Sequence, residues 1–328
     1  MNKRLTSLFR MATKASLVGL LALTAASCGK SGADGGTGSS GSSSAPASSN
    51  SGGTANADPS QSTMLYVCLF NQQIVNQIDS SGTIKQFANI PGNYTLLGGM
   101  AFDGLGNLYL PASPNGAKYE YQILKVDQNN TISVFSTPNT NRAAHAVAVD
   151  GNGNVYVIED NMLGACQMVK VDKNGMISDP LQLPPLSQLG GMVCDKNGNV
   201  YIAGLSLNGN TADSIGRIGP DGSETLFTRM VGGSFPTGMT FDKDGNLYVC
   251  CPGYSRICKV SSDGSEVDTY ASLPLNASPS SLAFDDNGNL YVTDINESEV
   301  WKVTPSGDVS KFMDVDHPGM IAAREVKK

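Results

Sequence analysis

The stretch "GMTFDKDGNLYV", Gly238–Val249, decides the fold, because the chain repeats it. The same pattern stands as "GMAFDGLGNLYL" from Gly99, "AVAVDGNGNVYV" from Ala146, "GMVCDKNGNVYI" from Gly191 and "SLAFDDNGNLYV" from Ser281. In each copy two short apolar runs flank an Asp-x-x-Gly-Asn turn, which is hairpin grammar. A second pair of runs follows every copy: "ILKVDQNNTISVF", "MVKVDKNGMISDP", "IGRIGPDGSETLF", "ICKVSSDGSEVDTY" and "VWKVTPSGDVSKF". The turn residues Asp103, Asp150, Asp195, Asp242 and Asp285 are 47, 45, 47 and 43 residues apart, the period of a four-stranded propeller blade.

The strands of a blade are named A ("GMTFD"), B ("NLYVC"), C ("ICKVS") and D ("EVDTY"). Strand A is apolar on both faces, as an inner strand between packed blades must be. The early segment "MLYVCLFNQQIVNQIDSSGTIKQFA" supplies B, C and D without A, and the late segment "HPGMIAAREV" supplies an A with nothing after it. Joined in one sheet they make a sixth blade and leave no open edge. The expected fold is therefore all-β: a six-bladed propeller of four-stranded blades, closed by N-terminal strands B, C and D plus a C-terminal strand A.

The repeat resembles the NHL repeat ("GIAVD..GNVYVAD...RI.KFD..G") and, more broadly, the propellers of the SMP-30/gluconolactonase family, over nearly all of 63–328. That resemblance implies the fold. For activity it implies a divalent metal, usually calcium, held at the channel mouth by a Glu in "EGP" and by Asn and Asp from inner strands. Here no "EGP" occurs, the family's "PNG" reads "PTG" at Thr237 and "PSS" at Ser280, and only Asp294 in "YVTD" carries over. The run "IGRIGPDGSETLF" also resembles streptogramin B lyases, which open a cyclic depsipeptide with a His-centred base and magnesium. Those enzymes usually have seven blades and B strands reading "LWFTE".

The region before the repeats has a different character. Lys3, Arg4, Arg10 and Lys14 precede the apolar run "SLVGLLALTAAS", so residues 1–27 read as an export signal. The following "TAASCGK" resembles the lipobox of bacterial lipoproteins, which implies lipidation of Cys28. Residues 28–62 are Gly, Ser, Ala, Thr and Asn with little else, a composition that buries no core and reads as a flexible tether. Residues 63–328 are the propeller. Expected localisation is thus an exported, membrane-anchored lipoprotein of a bacterial envelope.

Charge narrows the partners. The chain carries −7, and removal of four basic signal residues leaves the mature surface at about −11, which repels nucleic acid. Beyond Cys28 the cysteines are Cys68, Cys166, Cys194, Cys250, Cys251 and Cys258, with no CxxC pair to suggest structural zinc. Cys194 replaces a core Phe or Val of the other copies. Across the hairpin "CCPGYSRIC", pairing Cys251 with Arg256 places Cys258 diagonal to Cys251, which leaves a disulfide open.

Polar residues present in every blade, the Asp103/Asn107 pair and its counterparts, are read as turn formers. They do not match an EF-hand, whose loop is longer and ends in a distal Glu. Departures from the repeat carry the functional expectation. Three residues after the strand-B Tyr the chain reads Leu69, Ala112, Glu159, Gly204, Cys251 and Asp294. Symmetric pairing about the turn sets His145 opposite Glu159, and the same arithmetic pairs Gly98 with Ala112, Thr237 with Cys251 and Ser280 with Asp294. A bulge would shift that register. His317 precedes the closing strand A.

His145 and Glu159 are thus the expected catalytic residues. Asp160, Asp294 and His317 share the face that bears the D-to-A and B-to-C loops, and Asp294 with Glu159 are the expected ligands of a divalent metal, calcium or magnesium. Trp301 is explained by packing. The leading functional expectation is a binding module at the cell envelope that takes a protein, peptide, glycan or small molecule on its loop face. The second is a metal-dependent hydrolase or lyase of lactone-type substrates, and the residues leave open whether the chain is an enzyme.

Overall fold

The computed structural model describes residues 61–69, 72–117, 119–138, 141–161, 165–184, 190–204 and 213–327. The expected signal segment, Cys28 and the tether up to residue 60 lie outside them. Six sheets follow in chain order. The closing sheet runs Pro318–Lys327, Gln61–Leu69, Ile74–Ile78, Ile84–Asn89, which is the expected A from the C-terminal end joined to B, C and D from the N-terminal end. Its long antiparallel seam pairs Met64 with Arg324 and Tyr66 with Ala322. Calling this blade 1, blades 2 to 6 follow, each of them an antiparallel meander. Strand A of blade 2 is broken into Tyr94–Leu96 and Ala101–Phe102.

The apolar residues of strand B alternate between two interfaces, so each B strand serves two cores. Tyr201 and Ala203 of blade 4 pack against Met239 and Leu247 of blade 5, whereas Val200 and Ile202 pack against Tyr156 and Ile158 of blade 3. The same alternation gives one core per blade junction, six in all. The strand-B tyrosines anchor these cores by edge-to-face contacts: Tyr201 meets Phe227 of its own blade at 4.8 Å and Phe241 of the next at 5.0 Å.

Each turn aspartate collects its local donors. Asp150 Oδ1 accepts from the amides of Asn152 and Asn154, and Oδ2 from the Asn154 side chain at 2.8 Å and the Tyr156 hydroxyl at 3.2 Å. The structural reading of these residues therefore holds. Burial alone would raise the Asp150 pKa, but the bonds from Asn154, Asn152 and Tyr156 outweigh it and hold the carboxyl below its usual range. Serines 261 and 265 hold Asp263 lower still, at about 2. A depressed native pKa adds stability above the unfolded value and loses it as pH falls through the native one. Thermal unfolding should thus be flat from pH 7 down to about 4.5 and fall steeply toward pH 2. A midpoint that holds steady into that acid window would remove the aspartates from the stability account.

Glycine shapes the axis. A Cβ on Gly98 would stand 2.0 Å from the His145 carbonyl oxygen of the next blade, and one on Gly238 would stand 2.5 Å from the Ser280 oxygen. The inner strands bond to each other there: Gly191 N donates to Thr237 O at 3.1 Å, Gly238 N to Ser280 O at 3.0 Å, and Ile321 N to Ser281 Oγ at 3.1 Å. At three blade junctions the neighbouring inner strands touch through backbone atoms, and between blades 6 and 1 the Ser281 hydroxyl joins them.

Candidate functional site

The register at the inner strands corrects the sequence reading. Val149 pairs with Val155 and Ala146 with Ile158 as symmetric pairing requires, but Glu159 then pairs with Ala144. His145 is the extra residue of a bulge and does not oppose Glu159. The other three expected pairs are displaced as well. Ala112 faces Leu96, Asp294 faces Pro279, and Thr237 N donates to Cys250 O. In blades 3, 5 and 6 the shift coincides with the axial contact just described, where His145 O, Thr237 O and Ser280 O reach the inner strand of the preceding blade.

The displacement splits the expected cluster. Glu159, fully buried, accepts from the Tyr121 hydroxyl of blade 2 at 2.8 Å and from the Gln167 side chain, which is bonded in turn by Gln182 at 2.9 Å. Burial, then the Glu159 charge and its bond, push the Tyr121 phenol far up, so Tyr121 stays a donor. Glu159 thereby joins blade 2 to blade 3. Asp294, also fully buried, caps its own loop: it accepts from the amides of Ser278 and Asn296 at 3.0 Å, Glu297 at 3.3 Å and the Trp301 indole at 3.3 Å. Trp301 thus has a polar task besides packing.

His145 meets Asp160 instead, with Nε2 3.2 Å from Oδ1. Among the described residues this buried nitrogen has no partner in hydrogen-bond geometry, so the contact is not an aligned proton relay. His317 is exposed, sits at φ 48° and bonds the adjacent Asp316 through Nδ1. Among the described residues no three His, Cys, Asp or Glu side chains gather closely enough to hold a metal ion, and Glu159 and Asp294, the expected ligands, each accept the bonds given above.

What the loop face does assemble is apolar. Val231, Phe235, Tyr254, Leu275 and Ile295 are between 47% and 86% exposed, and all lie on D-to-A or B-to-C connections of blades 4, 5 and 6. Those connections are stitched together. The Tyr254 hydroxyl donates to Gly232 O at 2.6 Å, Ser255 Oγ to Ala277 O at 2.8 Å, and the Asn296 side chain to Asn276 O at 3.1 Å.

Phe235 holds φ 51°, a left-handed backbone that a bulky side chain rarely adopts. Asp213 enforces it: its carboxylate accepts from the amides of Gly233 at 2.8 Å and Phe235 at 2.7 Å. The Arg256 guanidinium lies 4.4 Å over the Tyr254 ring. Sequence reading missed these residues because they lie in connections of unequal length, outside the repeat. The visible signal was the aromatic within "VGGSFPTG". A recess of about 480 Å³ on the opposite face is lined by Asp103, Tyr109, Lys125 and Asn152, which belong to the repeated hairpins.

Comparison with known proteins agrees with this architecture. Residues 219–296 match the family model "SMP-30/Gluconolactonase/LRE-like region". No curated protein matches the chain. Among solved structures, a streptogramin B lyase is 19% identical with a TM-score of 0.60, covering 79% of this chain and 83% of its own. Virginiamycin B lyase from Staphylococcus aureus, as the selenomethionine form, is 18% identical at 0.57 (76% and 82%). A nidogen/laminin complex structure gives 17% at 0.62 (80% and 98%). At these identities the likeness is one of fold, and the chain is a six-bladed propeller similar both to lyases and to a propeller found in a protein complex.

Proposed function

We propose that the protein is a binding module of the bacterial cell envelope, tethered by lipid on Cys28, which engages a protein or peptide through the loop face of blades 4 to 6. The exposed apolar surface around Phe235 and Tyr254 carries this reading. Aromatic and Arg side chains in a fixed frame are the usual anchors of a protein interface, and strain held at Phe235 by Asp213 is a feature packing does not require. The nidogen/laminin structure gives a precedent for a propeller in such a complex.

The contact of His145 with Asp160 and the likeness to two lyases favour a second reading, a hydrolase or lyase of lactone-type substrates. Among the described residues no three His, Cys, Asp or Glu side chains lie together, which counts against a calcium or magnesium site built from them.

The test is a comparison of the full chain with its Phe235→Asp/Tyr254→Asp variant, each immobilised against solubilised envelope proteins. Wild type should retain a partner that the variant binds with at least 2 kcal/mol less energy, roughly 30-fold in Kd. Equal retention, or lactone turnover that a chelator abolishes, would sink the binding reading.

A further inference from the structure

We propose that Cys251 and Cys258 join as a disulfide across the B-to-C hairpin of blade 5, pinning the loop that presents Tyr254. The hairpin register pairs Cys251 with Arg256 and Val249 with Cys258, so the two thiols lie on one face, diagonally across neighbouring strands. Their sulfurs are 3.0 Å apart. That is well inside ordinary sulfur contact, and about 1 Å of side-chain movement reaches the covalent separation. Both face the core between blades 4 and 5, beside Tyr201 and Met239.

The surroundings make the two sulfurs unequal. The thiol of Cys251 donates to Cys258, and Arg256 stands beside it, so Cys258 titrates below the usual thiol range while Cys251 is pushed above it. Cys258 is therefore the attacking thiolate. It displaces one thiolate from a disulfide RSSR, a small molecule or an oxidoreductase, to give a mixed disulfide. Cys251 loses its proton and attacks Cys258 Sγ, expelling the second thiolate. Two protein thiols and one RSSR become one protein disulfide and two RSH, with both thiol protons on the released molecules.

Cys251 is fully buried and Cys258 nearly so, which sets the timing. An oxidant reaches them once the hairpin has set Cys251, Arg256 and Cys258 together but before blade 4 packs on blade 5, and the finished bond is sealed from reductant. Export to an oxidising compartment would supply that oxidant. Closure needs no partner on the loop face, so this inference stands or falls separately from the proposed function.

The full chain, secreted by a bacterial host or refolded from the reduced state with oxidised glutathione, is unfolded in an alkylating reagent without reductant and digested. One cross-linked peptide pair joining Cys251 to Cys258, two hydrogens lighter than the free thiols, is expected, with Cys68, Cys166, Cys194 and Cys250 alkylated. Dithiothreitol present throughout folding should lower the melting temperature by roughly 5 °C. The Cys251→Ala/Cys258→Ala variant should not respond to it. Alkylation of both thiols in the refolded chain, or a bond made through Cys250, would overturn the assignment.

Discussion

Gly98→Ala and Gly238→Ala should each cost about 3 kcal/mol or more, seen as a fall of roughly 6 to 12 °C in melting temperature. An added methyl is normally a gain where backbone freedom alone is at stake. Here the methyl carbon would stand 2.0 Å from His145 O in the first case and 2.5 Å from Ser280 O in the second. Both obstacles are backbone atoms of the next inner strand, which have no rotamer to yield. Moving them breaks the axial contacts between blades. Gly92→Ala and Gly104→Ala are the controls, because among the described residues nothing lies within 4 Å of their added carbons, and they should stay within about 0.5 kcal/mol of wild type. If all four variants melt alike, the close axial packing does not hold the ring.

Arg324→Ala should cost about 2 to 3 kcal/mol by opening the closing blade. In blades 2, 3, 5 and 6 a strand-C lysine lies 5.5 to 5.8 Å above the strand-B tyrosine ring, as Lys170 does over Tyr156. In blades 2, 3 and 6 a strand-A aspartate also accepts from that tyrosine, as Asp285 does from Tyr291 at 3.3 Å. Blade 1 inverts the pattern. Tyr66 faces Gln77 on strand C, and Arg324 from the closing strand A lies over its ring at 5.3 Å and donates to Gly106 O at 2.7 Å.

Among the described residues the Tyr66 hydroxyl has no hydrogen-bond partner, which follows from the missing aspartate. Restoring the usual pair tests the account. Arg324→Asp alone should be at least as damaging as Arg324→Ala, and adding Gln77→Lys should recover a large part of the loss, with a coupling of about 1 kcal/mol. A double variant no more stable than Arg324→Asp would show that Arg324 acts through packing of its stem and not as the displaced cation.

Much of this protein was legible before any coordinates. The 43-to-47-residue spacing of the turn aspartates, the missing strand A at the start and the spare one at the end pointed to six blades and their closure, and the sheets agree blade for blade, with strand A of blade 2 broken in two and strand D of blade 3 displaced to Leu181–Gln182. Repetition is what made this readable: each turn aspartate bonds neighbours within six positions, as Asp150 does Asn154 and Tyr156.

Tertiary structure decided the sites. Linear pairing put His145 across from Glu159, but the bulge that separates them is set by contact between neighbouring inner strands, and a strand's own sequence does not record how closely its neighbour approaches. Glu159 therefore serves Tyr121 of another blade, while His145 faces Asp160. The apolar surface lay equally beyond linear reading. Phe235, Tyr254, Leu275 and Ile295 belong to four separate loops, and the packing of neighbouring blades 4, 5 and 6 sets those loops side by side.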